Sequence, residues 1–145
     1  MYKKKLLEHL QNDIYCRIGL SKISGVGVIA IKEIPKGVNP FKNLSNEKDK
    51  IIELDDDDIK KLNPNVKKIV DDFFGNNIIK NGKKSKIYDV LYKGPNYINI
   101  SFYMNHSKKP NINLVEGKSE YLEFITNKTI KVGEELTINY SQYDS

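Results

Sequence analysis

Asn99-Ile100-Ser101-Phe102-Tyr103-Met104-Asn105-His106-Ser107-Lys108-Lys109-Pro110-Asn111 is the stretch whose reading decides the fold of this chain. An apolar, aromatic run ends in an Asn-His-Ser triplet, and a proline follows soon after. Taken alone, the triplet reads as a polar turn between strands, its side chains bonding the local backbone. It does not read as a Ser-His dyad. His106 and Ser107 are adjacent, so on a strand they point to opposite faces. It does not read as a metal site either, since His9 is the only other histidine and Cys16 the only cysteine.

Two further segments stand out on either side of it. Ser21-Lys22-Ile23-Ser24-Gly25-Val26-Gly27-Val28-Ile29-Ala30 places two glycines one residue apart before an expected strand. Such a turn lets a ligand approach the backbone closely. It is not a dinucleotide fingerprint, which needs a preceding strand, a third glycine and a following helix. Gly133-Glu134-Glu135-Leu136-Thr137-Ile138-Asn139-Tyr140 reads on its own as a closing strand.

The rest of the composition narrows the class. The chain has 145 residues, with 24 basic and 19 acidic side chains and a net charge of +5. That length and an apolar content of 39% suit one domain, residues 1–145, with one modest core. No apolar run is long enough to cross a bilayer. Lys3, Lys4 and Lys5 begin the chain, but Glu8 and His9 break the apolar stretch behind them, so no secretory leader is expected. A single cysteine excludes an internal disulfide and fits a reducing, intracellular compartment. Arg17 is the only arginine, which argues against direct nucleic-acid binding, because phosphate clamping and base readout favour its planar fork.

Short segments rich in Ile, Val, Tyr and Phe read as strands: Ile14–Ile18, Val28–Ile31, Ile87–Tyr92, Ile112–Val115, Tyr121–Ile125 and Leu136–Tyr140. A helical insert is expected at about 53–75. Its acidic run Glu53–Asp58 complements a helix start, Pro64 interrupts it, and Val66, Ile69, Val70 and Phe73 recur at helical spacing as far as Gly75. The acids Asp55–Asp58 read as a cap or as a surface for a basic peptide. Residues 76–86, polar and lysine-rich, read as a loop. One internal echo exists: Lys32-Glu33-Ile34-Pro35-Lys36-Gly37 and Lys128-Thr129-Ile130-Lys131-Val132-Gly133 share a Lys-x-Ile-x-x-Gly pattern. Each copy reads as a turn that needs glycine at positive φ.

In this order the three segments resemble the SET-domain family of protein lysine methyltransferases. The family pattern has a Gly-x-Gly turn, an Arg-Phe-Ile-Asn-His-Ser-Cys-x-Pro-Asn segment and a closing Gly-Glu-Glu-Leu-Thr-x-x-Tyr. This sequence supplies Gly25-Val26-Gly27, Asn105-His106-Ser107-Lys108-Lys109-Pro110-Asn111 and Gly133–Tyr140. Phe102 stands where the family often has arginine, and Lys108 replaces the common cysteine.

The resemblance implies a mostly-β, β-clip-like fold of small twisted sheets, with a C-terminal pseudoknot that brings the second and third motifs together. It implies S-adenosylmethionine as cofactor, released as S-adenosylhomocysteine. Val26, Gly27, Val28, Asn105 and His106 are the implied cofactor contacts, and Tyr140 the implied catalytic tyrosine. Tyr103 and Tyr143 are the implied aromatics of a substrate-lysine channel. The implied partner is a basic protein or peptide containing lysine, such as a histone tail, with no metal. No cysteine-rich segment follows Tyr140, so the groove is expected to be closed by Tyr143, the Val66–Phe74 helix or a second subunit in a homodimer. The alternative reading keeps the fold without catalysis, as a peptide-binding module.

Overall fold

The computed structural model describes residues 1–44, 50–115 and 123–143. In chain order its elements are α1 (Tyr2–Asn12), β1 (Cys16–Leu20), β2 (Val26–Ala30), β3 (Ile51–Leu54), α2 (Asp56–Ile59), α3 (Pro64–Phe74), β4 (Gly75–Lys80), β5 (Lys83–Leu91), β6 (Asn105–His106), β7 (Ile112–Val115), β8 (Glu123–Thr126) and β9 (Glu135–Ile138). Short 3-10 turns cover Ile100–Tyr103 and Tyr140–Tyr143. The chain divides into two compact units. One holds α1, β1, β2 and β6–β9, and the other holds β3, α2, α3, β4 and β5 together with Tyr143.

The first unit is built on a four-stranded sheet of order β1-β2-β9-β6. Its first two pairings are antiparallel, while β6 runs parallel to β9, with Asn105 opposite Thr137 and His106 opposite Ile138. The last strand therefore lies between the glycine-turn strand and the Asn-His-Ser segment. This is the adjacency that the pseudoknot expectation requires. Val28, Leu136 and Ile138 fill the core beside Ile34, Ile112 and Ile130, all fully buried.

The internal echo is a structural repeat. Ile34 and Ile130 pair in an isolated antiparallel bridge, each N–H donating to the other's carbonyl at 2.8 Å. Gly37 N donates to Thr126 O, and its counterpart Gly133 N donates to Ala30 O. Thr126 N reaches Val38 O, as Ala30 N reaches Glu134 O. The two turns thus exchange equivalent bonds about a local two-fold. Gly37 and Gly133 sit at φ +85° and +88°, the left-handed region that glycine enters without strain.

The second unit is a three-stranded antiparallel sheet, β3-β5-β4, with α2 and α3. Ile59, Val70 and Tyr88 form its core, with Leu54 and Val90 against them. Asp55 and Asp58 cap α2 reciprocally, each side chain accepting the other's backbone N–H at 2.9 Å. The bond from Asp58 N–H holds the Asp55 carboxyl below its usual range. Asp56 accepts from the Tyr88 hydroxyl, and Asp57 lies 3.5 Å from Lys60 Nζ. The acidic run is therefore occupied locally, as a helix start. Pro64 opens α3 at its first turn, behind Asn63, whose side chain accepts from Asn65 N.

The lysine-rich stretch 76–86 is not a loop. It forms most of the β4–β5 hairpin, closed by Asn81 and Gly82 at φ +52° and +74°. Two successive positive φ values suit the tight turn that Asn-Gly favours. α1 and β3 were not among the expected elements. The expected strands appear as β1, β2, β5, β7, β8 and β9, β7 with the expected ends and the others with shifted ones. Residues 121 and 122 of the expected Tyr121–Ile125 strand lie outside the described residues.

Candidate functional site

The β6–β9 pairing sets the site. The Ile100–Tyr103 turn delivers Met104 to the core at 3% exposure and leaves its carbonyl directed at Tyr140, whose hydroxyl donates to it at 2.8 Å. After Ile138 the chain turns, and Tyr140 N–H donates to His106 Nδ1 at 3.0 Å. That bond makes Nδ1 the acceptor and leaves the ring proton on Nε2. The His106 and Tyr140 rings lie 5.2 Å apart, tilted by 53°. The imidazole thus positions both the backbone and the ring of the tyrosine.

Burial and the nearby Glu135 carboxylate both raise the Tyr140 pKa above its ordinary value, burial contributing more. The phenol therefore remains a neutral donor at physiological pH. Its proton is given to Met104 O.

Asn111, the last residue of the quoted stretch, locks the strand beneath. Its amide donates to Glu135 O at 2.9 Å and accepts from Thr137 N at 2.8 Å. One side chain thus stands in for a neighbouring strand, and it is 8% exposed. Ser107 N–H adds a bond to Ile138 O at 3.0 Å.

The glycine turn is joined to both other motifs through side chains. Asn105 Nδ2 donates to Ser21 Oγ and Glu135 Oε2, each at 2.9 Å, and to Ser24 O and Val26 O at 3.1 Å. Gly27 leaves room for this network: a Cβ at this position would lie 2.5 Å from Glu135 Oε2 and 3.1 Å from Asn105 Nδ2, so the carboxylate would have to shift.

The structure places the remaining candidates as follows. Val26 is half exposed and its carbonyl accepts from Asn105. Val28 is completely buried and paired with both Ile18 and Leu136, so its side chain belongs to the core. Tyr103 precedes Met104 and is partly exposed at 37%. Tyr143 ends the Tyr140–Tyr143 turn and groups with the second unit. Glu135 and Ser21 were not among the expected site residues. Nothing in the sequence connects them, because they are brought together only by the β2–β9 pairing. Among the described residues no group of acidic, histidine and cysteine side chains could hold a metal ion. No described helix is long and apolar enough to cross a membrane.

The family model described as SET domain matches residues 25–141. A SET and MYND domain-containing protein of Dictyostelium discoideum is 50% identical over 42 residues, which is 29% of this chain and 8% of that protein. Among solved structures, a humanized mutant of the Chaetomium thermophilum Polycomb Repressive Complex 2 bound to the inhibitor GSK126 matches with a TM-score of 0.50 and 19% identity, over 92% of this chain and 16% of that one. A candidate histone methyltransferase of Plasmodium falciparum matches with a TM-score of 0.47 and 17% identity, over 88% of this chain and 93% of that one. The chain thus spans a small fraction of the Dictyostelium and Chaetomium proteins.

Proposed function

The chain belongs to the SET domain family, and on that premise we propose that it is a protein-lysine N-methyltransferase that uses S-adenosylmethionine and acts on a basic protein or peptide. The observation that carries this reading is the Tyr140 hydroxyl, bonded to Met104 O at 2.8 Å, one residue from Asn105 and His106. It puts a fixed, neutral phenol where the two most specific motifs of the sequence meet.

The residues present fit such a cofactor. The Asn105 amide NH2 is bonded to Ser24 O, Val26 O and Glu135 Oε2, which leaves its side-chain oxygen to accept from a ligand with a cationic amino group. Asn105 and His106 are the side chains proposed to hold it, beside the backbone of Val26 and Gly27. When bound, the cofactor supplies an electrophilic methyl group.

The protein's own task is to present an uncharged amine in line with that methyl. A free lysine keeps its proton up to about pH 10.4, and the ammonium has no lone pair to attack with. Aromatic walls, with Tyr103 proposed as one, disfavour the charged form by desolvation. Tyr140 Oη then accepts an amine N–H, because its own proton is committed to Met104 O. This fixes the direction of the nitrogen lone pair. Alignment of this kind supplies a large contribution to the acceleration of an in-line displacement.

The test is incubation of the full chain with methyl-labelled S-adenosylmethionine and lysine-rich protein fractions, with labelled residues located by mass spectrometry. The expected result is label on lysine. Cofactor binding without transfer to any fraction would instead mark the chain as a binding module.

A further inference from the structure

The proposed function gives no task to Ser21 or Glu135, yet these two residues hold Asn105 in a single orientation. Ser21 Oγ donates to Glu135, 2.7 Å from Oε1 and 2.9 Å from Oε2. The same Oγ accepts from the backbone N–H groups of Ile23 and Ser24, so the glycine turn fixes the hydroxyl. The hydroxyl and the carboxylate together present acceptors to Asn105 Nδ2.

All four atoms around Nδ2 are acceptors: Ser21 Oγ, Glu135 Oε2, Ser24 O and Val26 O. With its two hydrogens shared among them, the NH2 group is the end of the amide that fits there. The flipped amide would set its carbonyl oxygen against a carboxylate and two peptide carbonyls, a repulsive arrangement. The network therefore dictates which way the amide points. Among the described residues nothing donates to Asn105 Oδ1, which is the end left for a ligand. A carboxylate bonded to the NH2 end also polarises the amide and makes Oδ1 a stronger acceptor.

Gly27 completes the device. A side chain there would displace the carboxylate and crowd the amide. The second glycine of the turn thus makes room for a protein–protein contact within the chain, and its Cβ side does not face a ligand.

We propose that Ser21, Gly27 and Glu135 form a positioning clamp that turns Asn105 Oδ1 toward the α-ammonium group of the bound cofactor. The proposal rests on the methyltransferase reading. Of the two cationic centres in S-adenosylmethionine, only the ammonium carries N–H groups that Oδ1 can accept. The sulfonium has none.

The test compares two ligands that differ in that group. S-adenosylhomocysteine carries the ammonium. 5′-Methylthioadenosine keeps the nucleoside and the thioether without the amino-acid portion. Both are titrated calorimetrically into the full chain. Glu135→Gln keeps the volume and places an amide where Nδ2 needs a carboxylate, and Ser21→Ala removes the second acceptor. Each variant is expected to weaken S-adenosylhomocysteine about tenfold, the scale of one hydrogen bond to a charged group. Methylthioadenosine should stay within about twofold. In an Asn105→Ala background, Glu135→Gln should add no further loss.

Equal losses for both ligands, or none for either, would overturn the clamp while leaving the methyltransferase reading intact. A wild-type chain that binds neither ligand would overturn that reading, and the clamp with it. Should a variant fail to fold, the wild-type protein still decides: the Asn105 side-chain NH2 protons are expected to be protected from solvent exchange in its NMR spectrum, and free exchange would overturn the clamp.

Discussion

The Tyr140 hydroxyl donates to the Met104 carbonyl at 2.8 Å, so the residue before Asn105 fixes the phenol that closes the last motif. Burial and, after it, the Glu135 carboxylate raise the pKa of that phenol. A raised value keeps the proton on, so the hydrogen bond persists throughout the neutral range and is lost only above the ordinary tyrosine value of about 10. The substrate amine behaves oppositely, becoming reactive as it loses its proton. The kcat/KM is therefore expected to rise from about pH 7 to about pH 9.5 with no descending limb from Tyr140. A fall centred near pH 8 to 9 in the wild type, absent from Tyr140→Phe, would contradict the assignment.

Gly133 tests the two-fold turn. It sits at φ +88° with open space around an added Cβ, so alanine there meets backbone strain alone. The cost of a left-handed alanine is about 1–2 kcal/mol. For a chain of this size that lowers Tm by about 3–7 °C. The same substitution at Gly37, its counterpart at φ +85° and equally open, should cost a similar amount. An unchanged melting curve in both would mean the turns do not need glycine.

Asn111→Asp tests the side chain that stands in for a strand. The aspartate keeps the acceptor for Thr137 N–H and loses the donor to Glu135 O, facing a buried carbonyl with a second oxygen. The expected loss at pH 7 is about 2–4 kcal/mol. The carboxylate is the disfavoured form, so its folded pKa is raised, and protonation restores a donor. The loss should therefore shrink as pH falls toward about 4. Urea denaturation of both proteins at the two pH values checks this, and an equal loss at each would contradict it.

Tyr88 offers a test within the second unit. Burial, and then its bond to Asp56, pushes its pKa up to about 12. A raised folded value means that its stabilising contribution is complete below about pH 10 and is lost as pH rises toward 12. Absorbance at about 295 nm during alkaline titration should show late-ionising tyrosines, Tyr140 among them, and the latest component should disappear in Tyr88→Phe. Full ionisation of the tyrosines by about pH 10.5 would contradict the burial.

Much of this arrangement was legible in the residues themselves. The Lys-x-Ile-x-x-Gly echo marked two turns because glycine at positive φ leaves a signature that survives without context. The Asn-His-Ser and Gly-Glu-Glu-Leu-Thr segments marked the site because their order is specific to one family. The β4–β5 hairpin was missed although Asn81-Gly82 is a strong turn signal. Lys80, Lys83, Lys84 and Lys86 blurred the alternation that identifies a strand. α1 was missed because no residue in it is buried, so its apolar positions Leu6, Leu7 and Leu10 do not mark a core. The Ser21–Glu135 contact was not legible at all. It depends on which strands become neighbours, and local patterning carries no information about that.

The most direct test of the central claim is single-turnover methyl transfer by the wild type and by Tyr140→Phe, with S-adenosylhomocysteine affinity measured alongside. The account predicts that losing the hydroxyl lowers the transfer rate by about 10²-fold or more, while cofactor affinity stays within about twofold. A variant that transfers methyl to lysine as fast as the wild type would contradict it.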